Sequence, residues 1–223
     1  MHLDPVHIWA AMPTAVAAVV VVLLMQALRS LAAVIDRMLM LFLSTQKNKA
    51  FAAEVTPKLE SGDFEGARGL ASKASGSHLA STIYLGIRTF LDRRAEGKAV
   101  PAALQLSARA LGRQREQTSA ALNKGMNILA STGSTAPFVG LLGTVLGILF
   151  AFQQIAQPGS GGIATIGAAI GEARVVTGRG RVVAIPTVLV FNYLSNRIAL
   201  YEAGLENAGM ELIDRLETKL GHG

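Results

Sequence analysis

Apolar residues gather in three stretches of the chain, near 8–28, 126–156 and 163–196, and a polar stretch of about a hundred residues separates the first from the second. Ile8 to Leu28 forms one apolar run of about 21 residues, enough at 1.5 Å per residue to cross a hydrocarbon core of roughly 30 Å. Beyond Arg29, the spacing of Leu31, Ile35, Met38, Leu39 and Phe42 predicts an amphipathic extension of the same helix to about Val55. Thr56 to Ser77 reads as short helices joined by turns, with Asp63 as N-cap of a helix over 64–74. His78 to Arg94 places Leu79, Ile83, Ile87 and Phe90 on one face, and Pro101 suits the first turn of a long helix. No strong breaker follows until Pro137, so the pattern predicts one helix running from Pro101 into the second span.

The second apolar stretch, Ile128 to Ala156, is rich in small residues. Gly140, Gly143 and Gly147 let helices approach closely, and Gly143 to Gly147 is a small-xxx-small pair. The third, Ile163 to Asn196, carries Glu172, Thr177, Gly178, Pro186 and Asn192 among apolar and small residues. An acid at membrane depth is expensive and faces a bundle interior or water, which makes Glu172 a candidate for ion passage or a partner contact, against a structural salt bridge. Thr144 and Thr177 each have the plain role of bonding a carbonyl four residues back. Paired on adjacent antiparallel spans, they also suit the wall of a narrow uncharged polar path. Pro137 and Pro186 are expected to bend their helices.

The fold class is thus an all-α membrane protein. The expected divisions are 1–28, an outer N-terminus and first span; 29–127, a cytoplasmic helical domain; 128–156, the second span; 157–162, an outer turn; 163–196, the third span; and 197–223, a cytoplasmic C-terminal helix. Composition agrees with this, at 51% hydrophobic residues, 16% charged and a mean hydropathy of +0.40. Charge sets the orientation. Of the basic residues, 15 lie between Arg29 and Lys124, none precedes Arg29 and none lies between Gly125 and Ala173, and basic loops stay cytoplasmic. The net charge of +6 therefore follows topology rather than nucleic acid, and eight acids interspersed over 29–125 argue the same way. The first span has no basic region before it, and Trp9 sits as an interfacial anchor, so it is expected to be retained rather than cleaved.

Enzyme chemistry finds no support. Cysteine is absent, and His2, His7, His78 and His222 are scattered without ligand or triad spacing and read as solvent-exposed. A Gly-x-Gly-x-x-Ala at Gly159, Gly161 and Ala164 follows no strand and carries no weight as a dinucleotide site. No metal or organic cofactor is expected; the only cofactor-like species is the transported proton.

The residues Ser134-Thr-Ala-Pro137-Phe-Val-Gly140-Leu-Leu-Gly143-Thr144-Val-Leu-Gly147-Ile, with Ile170-Gly-Glu172-Ala, Thr177-Gly178, Ala184-Ile-Pro186 and Phe191-Asn192-Tyr193, resemble the MotA, TolQ and ExbB proton-channel group, nearest its TolQ and ExbB branch. The resemblance implies a pentameric ring in the bacterial inner membrane around a dimer of a single-span partner of the TolR or ExbD type. In such a ring the partner supplies the protonatable aspartate. It further implies an effector of the TonB or TolA type, or one for motility, and Thr144 and Thr177 facing the pore with Glu172 near a partner or subunit contact. The function implied is proton-driven mechanical work on envelope partners. The rival is a non-conducting membrane scaffold.

Three residues depart from that pattern. Arg174, Arg179 and Arg181 stand where the family has apolar residues, often leucine, and the residues around them conform. Three arginines cost about 7 to 10 kcal/mol at mid-span, against about 4 to 7 returned by the apolar residues of the same helix. At 100° per residue Arg174 and Arg181 lie about 20° apart and within about 60° of Thr177, with Arg179 nearly opposite. Such a ring repels cations, which makes a channel-disabled variant the second alternative.

Overall fold

The computed structural model describes residues 13–156 and 162–220. Among them the structure is all-helical: α1 (Thr14–Ser61), α2 (Phe64–Lys73), α3 (His78–Ala95), α4 (Val100–Leu122), α5 (Met126–Ile155) and α6 (Gly162–Leu220). Three of these, α1, α5 and α6, contain stretches long and apolar enough to cross a membrane. Trp9, His2, His7 and His222, the start of the first apolar run and the turn at 157–161 lie outside the described residues.

The chain divides into two compact units. One comprises the residues up to Ile35 and Gly125 to Tyr193; the other comprises Asp36 to Lys124 and Leu194 onward. In the first unit, α1, α5 and α6 bury Val16, Val19, Val20 and Leu23 against Ala136, Val176 and Ala184. Outward they present Leu24, Met25 and Leu28 from α1, Phe138, Leu141, Val145 and Phe152 from α5, and Val182, Ile185 and Leu189 from α6, all exposed. Small residues inside and large apolar ones outside reverse the order of a water-soluble bundle and match a bundle solvated by lipid or by further helices.

The second unit has the opposite arrangement. Ile83, Ile87 and Phe90 of α3 pack with Phe51 and Val55 of α1, Leu104 of α4 and Leu212 and Leu216 of α6. Each large side chain so buried contributes about 1.5 to 3 kcal/mol. Fully buried Ser107 donates to the Gly86 carbonyl at 2.8 Å, which ties α4 to α3. A Cβ at Gly86 would meet Leu212 Cδ2, so a side chain there would have to push that leucine aside.

Local signals explain most helix ends. Asp63 accepts from the Gly66 amide at 2.8 Å, as its position before α2 predicts, and Ser77 caps α3 through the Ala80 amide at 3.0 Å. Pro101 lies in the first turn of α4. Two expectations need correction. The helix beginning near Pro101 does not run into the second span: α4 ends at Leu122, Gly125 takes a left-handed φ of 83°, and α5 starts at Met126. Asn123 Nδ2 donates to the Ser119 carbonyl at 3.0 Å, and Arg37 of α1, only 7% exposed, donates from one nitrogen to the carbonyls of Ala121 at 2.7 Å and Leu122 at 3.3 Å. The Ala121 and Leu122 carbonyls, which a continuing helix would have used, are thus taken by Arg37. One helix, α6, covers both the third apolar stretch and the C-terminal tail, and Pro186 lies within it as Pro137 lies within α5.

His78 is the second correction, since it is half-buried rather than solvent-exposed. Its Nδ1 lies 2.8 Å from Tyr201 Oη, and the two rings meet edge to face. Asn48 of α1 donates to the same Tyr201 oxygen at 2.9 Å and accepts from Ser77 Oγ at 2.9 Å. The cluster joins α1, α3 and α6 through one buried polar node. Burial holds the His78 imidazole below its usual range and pushes the Tyr201 phenol up.

Two outcomes are expected from full-length protein unfolded by denaturant in detergent micelles. Arg37→Met leaves the last carbonyls of α4 without their donor and lowers stability by about 2 kcal/mol. His78 resists protonation when folded, so the unfolded chain takes up the proton first as pH falls below about 6.5. Its contribution is therefore fully present above that pH and declines on acidification through the folded-state value. His78→Gln is expected to flatten this loss relative to the parent between about pH 7 and 5, and an unchanged slope would remove His78 as its source.

Candidate functional site

The contact between α5 and α6 is made by backbone. At Gly180 a Cβ would lie 2.6 Å from the Ala136 carbonyl oxygen and 3.0 Å from Gly140 Cα; at Gly140 it would lie 3.2 Å from both Gly180 Cα and Thr177 Cα. One turn on, a Cβ at Gly143 would meet Val176 Cγ1 at 2.5 Å and Val19 Cγ1 of α1 at 3.1 Å, so all three helices meet at this glycine. At Gly147 the obstacle is Ala173 Cβ at 2.7 Å. The facing stripe on α6 is Ala173, Val176, Gly180, Ala184 and Thr187, spaced three or four apart and buried.

Gly178, expected among the close-packing residues, is exposed and has nothing within 4 Å of where its Cβ would stand. Two residues, at about 100° each, turn it away from the contact and leave Gly180 in the role expected of it. Gly133 makes a further close approach, since a Cβ there would lie 2.5 Å from Val188 Cγ2.

Beside the glycine contact, Thr144 and Thr177 meet. Their hydroxyls are hydrogen-bonded to each other across the two helices. Thr177 also donates to the Gly140 carbonyl at 3.1 Å, and Thr144 reaches the Ala173 carbonyl of α6 at 3.2 Å. Both threonines are half-buried. The helices are close enough for the hydroxyls to pair only because Gly140 carries no side chain.

The charged residues of α6 lie outside this contact. Glu172, Arg174 and Arg181 are exposed and Arg179 is half-exposed, and among the described residues none of the four makes an ion pair. The buried side of α6 centres near Val176 and Gly180. Arg174 and Arg181 then flank Thr177 on one side, while Glu172 and Arg179 lie about 20° apart on the other flank.

Sequence reading missed a further polar group. Gln26 interrupts the first apolar run; its Nε2 donates to Thr135 Oγ1 of α5 at 3.3 Å, and its Oε1 is buried without a partner. Ser30, 4% exposed, likewise holds a partnerless hydroxyl. Gln26 and Arg29 of α1 and Asn127, Ser131, Thr132 and Thr135 of α5 line a groove of about 280 Å³. Gln26 is the only amide in that run, a signal overlooked because the run is otherwise apolar.

Residues 83–207, more than half of the chain, match the MotA/TolQ/ExbB proton channel family. The chain belongs to that family. The match contains the whole α5–α6 glycine contact, both threonines, and Glu172, Arg174, Arg179 and Arg181 of α6. Three similar proteins carry the name biopolymer transport protein ExbB: from Pseudomonas putida, 39% identical over 101 residues; from Neisseria gonorrhoeae, 46% over 92; and from Xanthomonas campestris pv. campestris strain B100, 47% over 87. The matched stretches are 45%, 41% and 39% of this chain and 31%, 42% and 34% of those relatives, so the chain covers less than half the length of each. That family is one of proton channels rather than enzymes, and the three membrane-length apolar helices of this chain agree with it.

Gly180 and Gly178 separate cleanly in their expected responses. Gly180→Ala forces α5 and α6 apart against a backbone oxygen, and is expected to lower resistance to unfolding in SDS-containing mixed micelles by about 1 to 3 kcal/mol. Gly178→Ala, which meets nothing, is expected to leave it unchanged or raise it by up to about 1 kcal/mol through helix propensity. The reverse order would show that the two helices do not meet through Gly180.

Proposed function

We propose that the chain is the wall subunit of a proton-driven motor in the bacterial inner membrane, with its N-terminus outside and its C-terminus in the cytoplasm. Five copies form a ring around a dimer of a TolR- or ExbD-like single-span protein. Thr144 and Thr177 line the path, Glu172 lies near it or at a subunit contact, and the partner supplies the carboxylate that takes and releases protons. The work is delivered to an envelope effector of the TonB or TolA kind or to motility. The name biopolymer transport carried by the ExbB relatives favours transport.

The observation that carries this reading is the hydroxyl pair of Thr144 and Thr177 on a side-chain-free helix contact within the family match. It supplies proton-bonding oxygens at membrane depth with no charge of their own. The outward apolar residues of all three spans leave further surface for neighbouring copies and lipid. The cytoplasmic position of residues 29–127 rests on the excess of Lys and Arg there.

A second reading is favoured by Arg174, Arg179 and Arg181: an assembled ring that does not conduct. Repeated around a pore, cations raise the barrier to proton entry, and an insertion cost of about 2.5 to 3.5 kcal/mol each weakens the third span.

Proton flux into liposomes holding the chain with a co-expressed single-span partner separates the readings. The motor reading expects flux above empty vesicles, lost with Thr144→Val or Thr177→Val. A scaffold gives none, before or after replacement of the arginines. Leucine at 174, 179 and 181 together is expected to raise flux, by about tenfold or more if one charged barrier of about 1.4 kcal/mol is removed. Unchanged or reduced flux would assign the arginines to the mechanism.

A further inference from the structure

Arg174, Gly178 and Arg181 lie on one stripe of α6, within about 60° of each other around the helix. Gly178 stands about one turn from each arginine, and the space over it is open. Both arginines are exposed and without an ion pair among the described residues. A guanidinium in a membrane span that meets no carboxylate of its own chain needs one from elsewhere or water, because charge at that depth is otherwise too costly. Two guanidiniums on long stems, one on either side of an open glycine, have the reach and the fork geometry to hold a single carboxylate between them.

We propose that Arg174 and Arg181, with Gly178 between them, clamp one ionised carboxylate carried by a membrane-spanning helix of a partner chain. The inference rests on the reading of a ring around a partner's spans and specifies the chemistry of the contact. Glu172 of a second copy is a poorer occupant. One glutamate per chain faces three arginines, so copies alone leave two positive charges per chain uncompensated. Glu172 is also accompanied on its flank by Arg179, which would approach the clamp of a neighbour as a like charge. A carboxylate held by two guanidiniums stays ionised, and the clamp is therefore a lock: the acid that must pick up a proton is prevented from doing so while it is engaged.

The test uses full-length chain in liposomes with labelled synthetic single-span peptides of leucine and alanine bearing one aspartate, asparagine or lysine at mid-span, and reads association by energy transfer. At neutral pH the aspartate peptide is expected to associate at least about tenfold more tightly than the asparagine peptide. The preference is expected to vanish in R174L/R181L and to survive in R179L. Equal association of the aspartate and asparagine peptides, or a preference that persists in R174L/R181L, overturns the clamp. So does loss of self-association of the chain alone in E172Q without any aspartate preference, which would give the arginines to a second copy. Proton flux with the co-expressed partner is read separately. Flux without the aspartate preference removes the clamp and leaves the channel; an aspartate preference in the parent chain, with no flux from either the parent or R174L/R181L, leaves the clamp and removes the channel.

Discussion

The first unit depends on how closely two backbones approach at Gly140 and Gly180. With a Cβ of one helix 2.6 Å from a carbonyl of the other, neither position tolerates a side chain without separating the helices. In lipid, association gains little from hiding apolar surface and relies on packing and polar contacts. The close approach supplies both, since it brings many atoms into contact and places the hydroxyls of Thr144 and Thr177 within bonding range of each other and of the opposite backbone. Val19 of α1 reaches Gly143 by the same device. A wider spacing would strand two hydroxyls at membrane depth, so the packing and the candidate path stand or fall together.

The second unit is held by ordinary burial, and its polar links are few and well placed. Arg37 ends α4, and Asn48, Ser77, His78 and Tyr201 join three helices. Neither link has a periodic signature. Arg37 sits 84 residues from the carbonyl it binds, and His78 and Tyr201 are 123 apart, so nothing local in the sequence announces the pairing.

What the sequence made legible follows from how local each signal is. Apolar length exposed the three long helices, and one-residue caps such as Asp63 exposed helix starts. The break at Asn123 to Gly125 was missed because an Asn and a Gly near a helix end are weak signals unless the carbonyls before them have other donors, and here a distant arginine helps to supply them. Gly180 was overlooked in favour of Gly178 because two glycines two residues apart are equal candidates by composition. The angular phase of the buried stripe, which Ala173, Val176 and Ala184 fix, decides between them. Gln26 was hidden by the apolar run around it.

The charges of α6 are the part of the molecule that its own fold does not account for. The hydroxyls of Thr144 and Thr177 have partners within the unit, whereas Glu172 and the three arginines make no ion pair among the described residues. Uncompensated charge in a span is stable only if something outside the chain compensates it, and the two flanks of α6 differ in what they ask for. The flank with Glu172 and Arg179 carries one charge of each sign and can be served by water or a copy of itself. The flank with Arg174 and Arg181 carries two of one sign beside the paired threonines and over an open glycine, and it asks for an anion. On the proposed reading, a wall that binds a carboxylate through two guanidiniums holds a partner in place, and proton movement then depends on how readily that carboxylate is released.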